Sequence, residues 1–172
     1  ELVADSHARL HESLILQNTG KRHYFNDRYL IEQMSYEFAI NYNVYFAGIC
    51  DSTADRMCTA LEKAAACGKP LSALEEIAMI DYQKLKVKSS RMFDWLCNSW
   101  NGQLTEYRHS ATGITHYIWR TCGDERVRST HGARDGQIFS WNNIPIDGHP
   151  GQAYNCRCWA EPVAAERFYQ AQ

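Results

Sequence analysis

The sequence predicts an α+β fold in which a helical N-terminal half precedes a small strand-and-loop module. Apolar residues recur every three or four positions over residues 28–107, as they do along one face of a helix. Near Gly113 the pattern changes to short alternating segments rich in β-branched and aromatic residues, which are typical of strands. We therefore expect a helical region over residues 1–110 and an α+β module over residues 111–172.

The periodicity of the first half predicts four helices, over residues 28–50, over 53–67, from 72 to a lysine-rich stretch at 83–90, and over 92–107. Asn26 or Asp27 is placed to cap the first of these helices. Ser72, with Glu75 three residues later, predicts a capping box for the third. The apolar stripes indicate packing of helix on helix, and the lysine-rich stretch indicates a solvated face.

The composition is that of a globular protein with no membrane partner. The 172 residues are 45% hydrophobic and 22% charged, and the formal net charge is −2. This charge gives no global reason to bind nucleic acid, and no apolar run approaches the roughly 18 residues of a membrane helix. The sequence starts without Met and without the pattern of a signal peptide, so we interpret it as a fragment or a processed chain.

Most of the cysteines have an ordinary interpretation. Four of the seven lie in helical segments among apolar neighbours: Cys50, Cys58, Cys67 and Cys97. Free thiols in such positions act as small buried hydrophobes. The odd total indicates reduced cysteines of the cytosolic kind and not a disulfide framework.

The second half predicts three short strands separated by long polar loops. The strand-like segments cover residues 114–121, 137–141 and 156–163, and the first loop has room for one or two helical turns. Long loops in a compact module need a function or a clamp, because they contribute little apolar core. We therefore expect something to hold this half together.

Two cysteines in the last segment are candidates for that clamp. In an extended strand Cys156 and Cys158 face the same way, with Cα atoms about 6.6 Å apart. A disulfide at that spacing would be strained, whereas a tetrahedral zinc ion needs its sulfurs apart. His131 and His149 complete a Cys2His2 set, and the alternative is that all four side chains are merely structural. Substitute ligands nearby are Cys122, Asp124, Asp135 and Asp147.

The polar segment before the second strand is a second candidate site. Asp124, Arg126 and Arg128 lie close together there. One interpretation is a lattice of ion pairs that braces the loop, with Asp124 or Asp135 bound to an arginine. The other is a functional site in which the two arginines bind phosphate or carboxylate and His131 acts as acid or base.

Two segments of this half resemble a known family. "YIWRTCGDERVRSTHGARDGQIFSW" and "HPGQAYNCRCWAEPV" are similar to the C-terminal region of the phage Mu protein F-like family, which includes the minor head protein of phage SPP1. The family pattern runs W-R-T, D-x-R-V-R-x-x-H, D-G, an aromatic residue, and H-P-G with N-C-R-C. The resemblance is strongest over residues 114–163.

The resemblance implies a structural role in a phage particle. Members are minor head or head-morphogenesis proteins of phages and prophages, so the expected partners are portal or capsid proteins and DNA, in the virion or the host cytoplasm. In some relatives cysteines replace both Arg128 and His131, and a zinc site tolerates exchange of Cys for His. Because Arg128 cannot bind a metal, His149 would complete the set here.

The same resemblance leaves one alternative from another class. Modules of this kind are also built into secreted or phage-delivered antibacterial toxins. Such an effector would enter a target cell, act on nucleic acid or a nucleotide, and be neutralised by an immunity protein. Its catalytic residues would be Asp124, Arg126, Arg128 and His131.

Overall fold

A computed structural model describes residues 2–25 and 28–163 of the chain. The predicted cap at Asn26 or Asp27 lies outside the described residues, and so does the end of the predicted module, residues 164–172. Within the described part, the expected α+β architecture is confirmed: a helical N-terminal half leads into a small antiparallel sheet. The division into two domains stays a prediction.

Three helices form the first half: α1 (Leu2–Thr19), α2 (Arg28–Ala66) and α3 (Leu71–Ala111). The two breaks predicted at residues 51–52 and 83–90 were wrong, because α2 and α3 each run straight through. At the first break Ser52 Oγ donates to the carbonyl of Ile49 at 3.1 Å, so this polar side chain bonds the helix backbone. At the second, the lysine side chains are exposed, and lysine is a good helix former.

The predicted capping box at the start of α3 is absent. Pro70 occupies the cap position and makes no side-chain hydrogen bond to the helix. The preceding helix ends at Ala66, and Gly68 just beyond it has a φ of +69°, a left-handed conformation that glycine adopts without strain. The resulting short turn lets α2 and α3 pack along each other as a long hairpin.

Aromatic side chains connect the two helices of the hairpin. The Phe93 ring of α3 lies edge-on to Phe38 and Tyr42 of α2, with ring centres 5.9 and 5.8 Å away. Further along, the rings of Tyr45 and Trp95 are 5.5 Å apart. These contacts confirm the expected packing of helix on helix. In the part of the chain that is described, no helix combines the length and apolar character needed to cross a membrane.

The cysteines of the hairpin differ from the expectation. All seven cysteines of the chain, each in the described part, are free. Cys58 and Cys67 are exposed, and Cys50 and Cys97 are half-buried. The prediction of four buried hydrophobes was therefore wrong for the exposed pair, since Cys58 lies on the outer face of α2 and Cys67 lies in the turn between α2 and α3.

The sheet contains β1 (His116–Arg120), β2 (Ile138–Ser140) and β3 (Trp159–Val163), in the order β2-β1-β3 with antiparallel pairing. One helical turn, α4 (Ser129–Gly132), lies in the loop between β1 and β2. All three predicted strands exist, but the third starts only at Trp159. Cys156 and Cys158 consequently lie in the turn before β3. The sequence had suggested that they lie in the strand itself, and this prediction was wrong.

The core of the module lies on one face of this sheet. Strand alternation buries Tyr117 and Trp119 of β1 completely, because successive side chains of a strand point to opposite faces. They pack with Trp141, Cys156, Cys158 and Ala160. Both cysteines of the candidate clamp are therefore part of the core.

Two glycines let α3 lie directly on the loop before the cysteines. A Cβ atom on Gly102 would lie 2.7 Å from the carbonyl oxygen of Pro150, and one on Gly151 would lie 2.7 Å from that of Asn98. Gly151 also has a φ of +90°, which other residues rarely adopt. Beside this contact Trp95 Nε1 donates to the carbonyl of Gln152 at 3.1 Å. The end of the hairpin and the module thus meet backbone to backbone.

Candidate metal centre

Three of the four predicted metal ligands converge in the structure. His131 comes from α4, between the first two strands, and Cys156 and Cys158 come from the turn that leads into β3. Their ligand atoms all lie within 4.8 Å of one another. All three side chains are buried, with residue exposures of 2%, 2% and 8%. A His/Cys/Cys group of this kind can hold a metal ion.

The imidazole of His131 is oriented by a carboxylate. Its Nε2 lies 2.7 Å from Asp147 Oδ2, and Arg134 donates to the other oxygen of the same carboxylate. A proton on Nε2, donated to Asp147, leaves the lone pair of Nδ1 directed at the two sulfurs. Metal-binding histidines are commonly oriented by such an outer carboxylate.

The hydrogen-bond partners of Asp147 keep its carboxyl group ionised. Burial alone would raise the pKa of its carboxyl group, but hydrogen bonds from Arg134 and His131 outweigh burial and hold that pKa below its ordinary value. The guanidinium of Arg134 also lies over the ring of Trp119, 4.9 Å from its centre, and so is fixed from two sides. Asp147 is therefore an anion held in place to accept the imidazole proton.

One of the two sulfurs favours the anionic thiolate form. A hydrogen bond from the thiol of Cys158 lowers the pKa of Cys156 to about 5 and raises that of Cys158. Backbone N–H groups of Gly151 and Cys158 also lower the Cys156 pKa, and the second of them lies 3.4 Å from the sulfur. Thiolates, not thiols, are the forms that bind metals.

The distances between the three ligand atoms fit a single coordination sphere. Nδ1 of His131 is 3.5 Å from the sulfur of Cys156 and 3.4 Å from that of Cys158. Zinc bonds of about 2.3 Å to sulfur and about 2.0 Å to nitrogen, at tetrahedral angles, place nitrogen and sulfur about 3.5 Å apart. The donor set and the spacing therefore both fit zinc.

His149, the fourth predicted ligand, is not part of this group. Its Nδ1 lies 2.8 Å from the hydroxyl of Tyr117, and its ring packs 4.8 Å from that of Trp141. Burial lowers its pKa, which favours a neutral ring inside the aromatic core. The structure thus places His149 beside Tyr117 of β1, as a packing and hydrogen-bonding residue.

The substitute ligands named from the sequence fall in different places. Asp147 contacts Nε2 of His131, on the opposite side of the ring from the two sulfurs. Asp135 accepts a hydrogen bond from the backbone of Thr121 at 2.8 Å. Asp124 accepts two from Arg157, at 2.7 and 2.6 Å. Cys122, by contrast, lines the same cavity as the three ligands, and its sulfur lies 3.7 Å from Asp124 Oδ1.

The four residues proposed as a catalytic site lie in two different environments. Arg126, Arg128 and His131 line one cavity of about 260 Å³. Asp124 instead forms an ion pair with Arg157, which lowers the Asp124 pKa to about 2. The expected bracing of this loop by an aspartate–arginine pair is therefore present, with an arginine that the sequence did not single out.

Comparison with known proteins finds a family match over the residues of this site. The family described as "Phage Mu protein F like protein" matches residues 95–161, which include the end of α3, the whole sheet except its last two residues, and the three clustered ligands. An uncharacterized protein of Haemophilus influenzae (strain Rd) is 50% identical over 64 residues, which are 37% of this chain and 14% of that protein. No solved structure matches. Residues 95–161 of the chain, which include the three clustered ligands, are therefore similar to the phage Mu protein F-like family.

Proposed function

We propose that the chain is part of a minor head protein of a phage or prophage, acting in head morphogenesis by contact with portal or capsid proteins. The observation that carries this proposal is the family match over residues 95–161. The role is structural, in the virion and in the host cytoplasm during assembly. The related Haemophilus protein is uncharacterized, and the matches give no support to a delivered toxin with an immunity partner.

The hairpin supplies a surface for such a contact. Tyr36, Ile40 and Val44 of α2 are 70%, 46% and 64% exposed. Their four-residue spacing places them in one stripe along the helix, opposite the buried Met34. A contiguous exposed apolar stripe is typical of a site that binds another protein.

We further propose that zinc holds the module through His131, Cys156 and Cys158. Structural zinc supplies roughly 10–16 kcal/mol in small modules, compared with about 5–15 kcal/mol for the net stability of a whole domain. The core of this module is small, so an ion bound at its centre would dominate its stability. The fourth position faces the cavity, where Cys122 and water are the available ligands.

A capture experiment tests the head-protein role. The full-length protein that contains this chain, co-expressed with the portal and major capsid proteins of the same phage region, should co-purify with one of them. Replacement of Tyr36, Ile40 and Val44 by Ser should abolish capture, whereas Asp55→Ala, an exposed change on the same helix, should leave it intact. Failure of both proteins to co-purify would refute the proposal.

Elemental analysis tests the zinc proposal. The purified chain should contain one zinc ion, and Cys158→Ser should remove it. Cys67→Ser, an exposed cysteine at the hairpin turn, is the matched control and should keep the metal. Cys122→Ser distinguishes the two candidates for the fourth position, since zinc binding at least tenfold weaker would identify Cys122 as the ligand. Metal-free protein with an intact sheet would contradict the proposal.

A further inference from the structure

We propose that the cavity beside the three ligands binds a terminal phosphate group, of a nucleotide or of a nucleic-acid end. Four arginines line it: Arg91, Arg126, Arg128 and Arg157. Its lining includes no Asp or Glu. A concentration of positive charge in one cavity of about 260 Å³ contrasts with the overall net charge of −2. The inference is independent of the head-protein role.

Two of the arginines are already held at the wall of the cavity. Arg157 makes its paired hydrogen bonds with Asp124, and Arg128 donates to the carbonyl of Tyr154. Their guanidinium groups therefore lose little side-chain freedom when an anion binds. Asn155, next to that carbonyl, has a φ of +57° and is the one non-glycine residue with positive φ within residues 2–25 and 28–163. A constrained backbone at this edge fits a preformed site.

The other two arginines are available to a ligand. Arg91 projects from α3 and Arg126 from the loop after β1, and both are exposed. Neither side chain has a hydrogen-bond or ion-pair partner within the described residues. Asp124 offsets the charge of Arg157, so Arg91, Arg126 and Arg128 supply most of the positive charge around this cavity. A bound anion would reduce the repulsion among these three side chains.

The number of donors favours phosphate over carboxylate. A carboxylate carries one charge on two oxygens, and a single guanidinium satisfies it. A terminal phosphate carries a charge of about −1.5 to −2 on three oxygens and takes several guanidinium groups at once. Four arginines around one cavity match a terminal phosphate better than a carboxylate. A phosphate within a nucleic-acid backbone, with one charge on two free oxygens, matches less well.

Calorimetric titration of the purified chain tests the proposal with four probes: inorganic phosphate, a nucleoside monophosphate, and one DNA oligonucleotide with either a 5′-phosphate or a 5′-hydroxyl. The first three should bind, and the 5′-hydroxyl oligonucleotide should bind at least about tenfold more weakly than its phosphorylated form. Binding of inorganic phosphate alone, with no binding of the nucleotide or of the oligonucleotides, would overturn the proposal and identify a free anion as the ligand. Equal binding of the two oligonucleotides would overturn the proposal.

Substitution then locates the site. Arg91→Ala and Arg126→Ala should each weaken binding of the monophosphate by about tenfold. Both side chains are exposed, and circular dichroism confirms that the variants fold. Arg56→Ala, an exposed arginine of α2 that does not line the cavity, should change binding by less than about twofold. Binding that is indifferent to Arg91 and Arg126 would overturn the proposal.

Discussion

His131 Nε2 lies 2.7 Å from Asp147 Oδ2, while Nδ1 of the same ring faces the sulfurs of Cys156 and Cys158. One imidazole thus connects a fixed carboxylate to a pair of thiols. The contact with the carboxylate determines which nitrogen carries the proton, and the other nitrogen is left as a ligand. The relationship explains why this histidine belongs to the cluster and why an acidic residue lies behind it.

Asp147→Asn should weaken metal binding without removing any direct ligand. The amide cannot accept the imidazole proton as an anion does, so the basicity and orientation of His131 are lost. We expect affinity for zinc to fall by roughly 10–100-fold, measured by competition with a chelator of known affinity. Asp135→Asn, which alters a loop carboxylate bonded to Thr121, should leave affinity within about twofold. Equal loss in both variants would contradict the role of Asp147.

Removal of metal should disorder the module before the hairpin. The ring of Trp119 lies 5.2 Å from that of His131, so its near-ultraviolet circular dichroism reports on the site. A strong chelator should abolish that signal while the helical signal at 222 nm largely remains, because α2 and α3 pack through their own aromatic contacts. Free zinc at about 100 times its Kd should restore about 2.7 kcal/mol of stability. An unchanged tryptophan signal after chelation would contradict this expectation.

Gly102→Ala should destabilise the protein although alanine favours helices. The added Cβ would lie 2.7 Å from the carbonyl of Pro150, and backbone must move to accommodate it. We expect a loss of about 1–3 kcal/mol in the free energy of unfolding, measured in urea. Gly48→Ala in α2 is the matched control, because nothing lies within 4 Å of its new Cβ, and it should stabilise by roughly 0.5–1 kcal/mol. Equal effects in both variants would show that the close approach to Pro150 is absent.

His109 should make the fold sensitive to acid. Burial lowers its pKa from 6.5 to about 3, and Trp141 donates to its Nδ1 at 3.3 Å. Between those two values the unfolded chain binds a proton that the folded chain does not. Stability is therefore fully present above pH 6.5 and falls as the pH drops towards 3, by up to about 1.4 kcal/mol per pH unit.

The variant His109→Asn isolates that dependence. Its side-chain oxygen can accept the same hydrogen bond from Trp141 but does not titrate. The measured quantity is the slope of the free energy of unfolding against pH, not its absolute value, so a packing defect in the variant does not confuse the result. The slope should become shallower between pH 3 and 6.5. An identical slope in both proteins would refute the assignment to His109.

The site was predictable in part because its chemistry is local in sequence. The Cys-x-Cys pair indicated a metal clamp, and His131 followed from the search for a nitrogen ligand nearby. The strand geometry from which the clamp was predicted is not the geometry that the structure shows. The two sulfurs converge from a turn before β3, where the backbone N–H of Cys158 also donates a hydrogen bond to the sulfur of Cys156. Strand spacing alone would have held the two side chains parallel.

Other features depended on tertiary contacts that a sequence does not express. Nothing in the spacing distinguishes His149, which contacts the hydroxyl of Tyr117, from a ligand. Asp147 was considered only as a ligand, and its actual place behind His131 depends on the path of the loop before it. The continuity of the two long helices was missed for a simpler reason. A glycine or a serine lowers local helix propensity by less than packing restores, and a run of lysines does not lower it.

The contact at Gly102 also determines where the far end of the hairpin lies. Between Gly102 and Leu71, α3 extends about 46 Å at 1.5 Å per residue. A tilt of about 5° at the glycine contact would move the distal turn by about 4 Å, which is roughly three quarters of the rise of one helical turn. The close contact at Gly102 and Gly151 thus sets the direction of α3, and with it the position of a distal turn that neither glycine contacts.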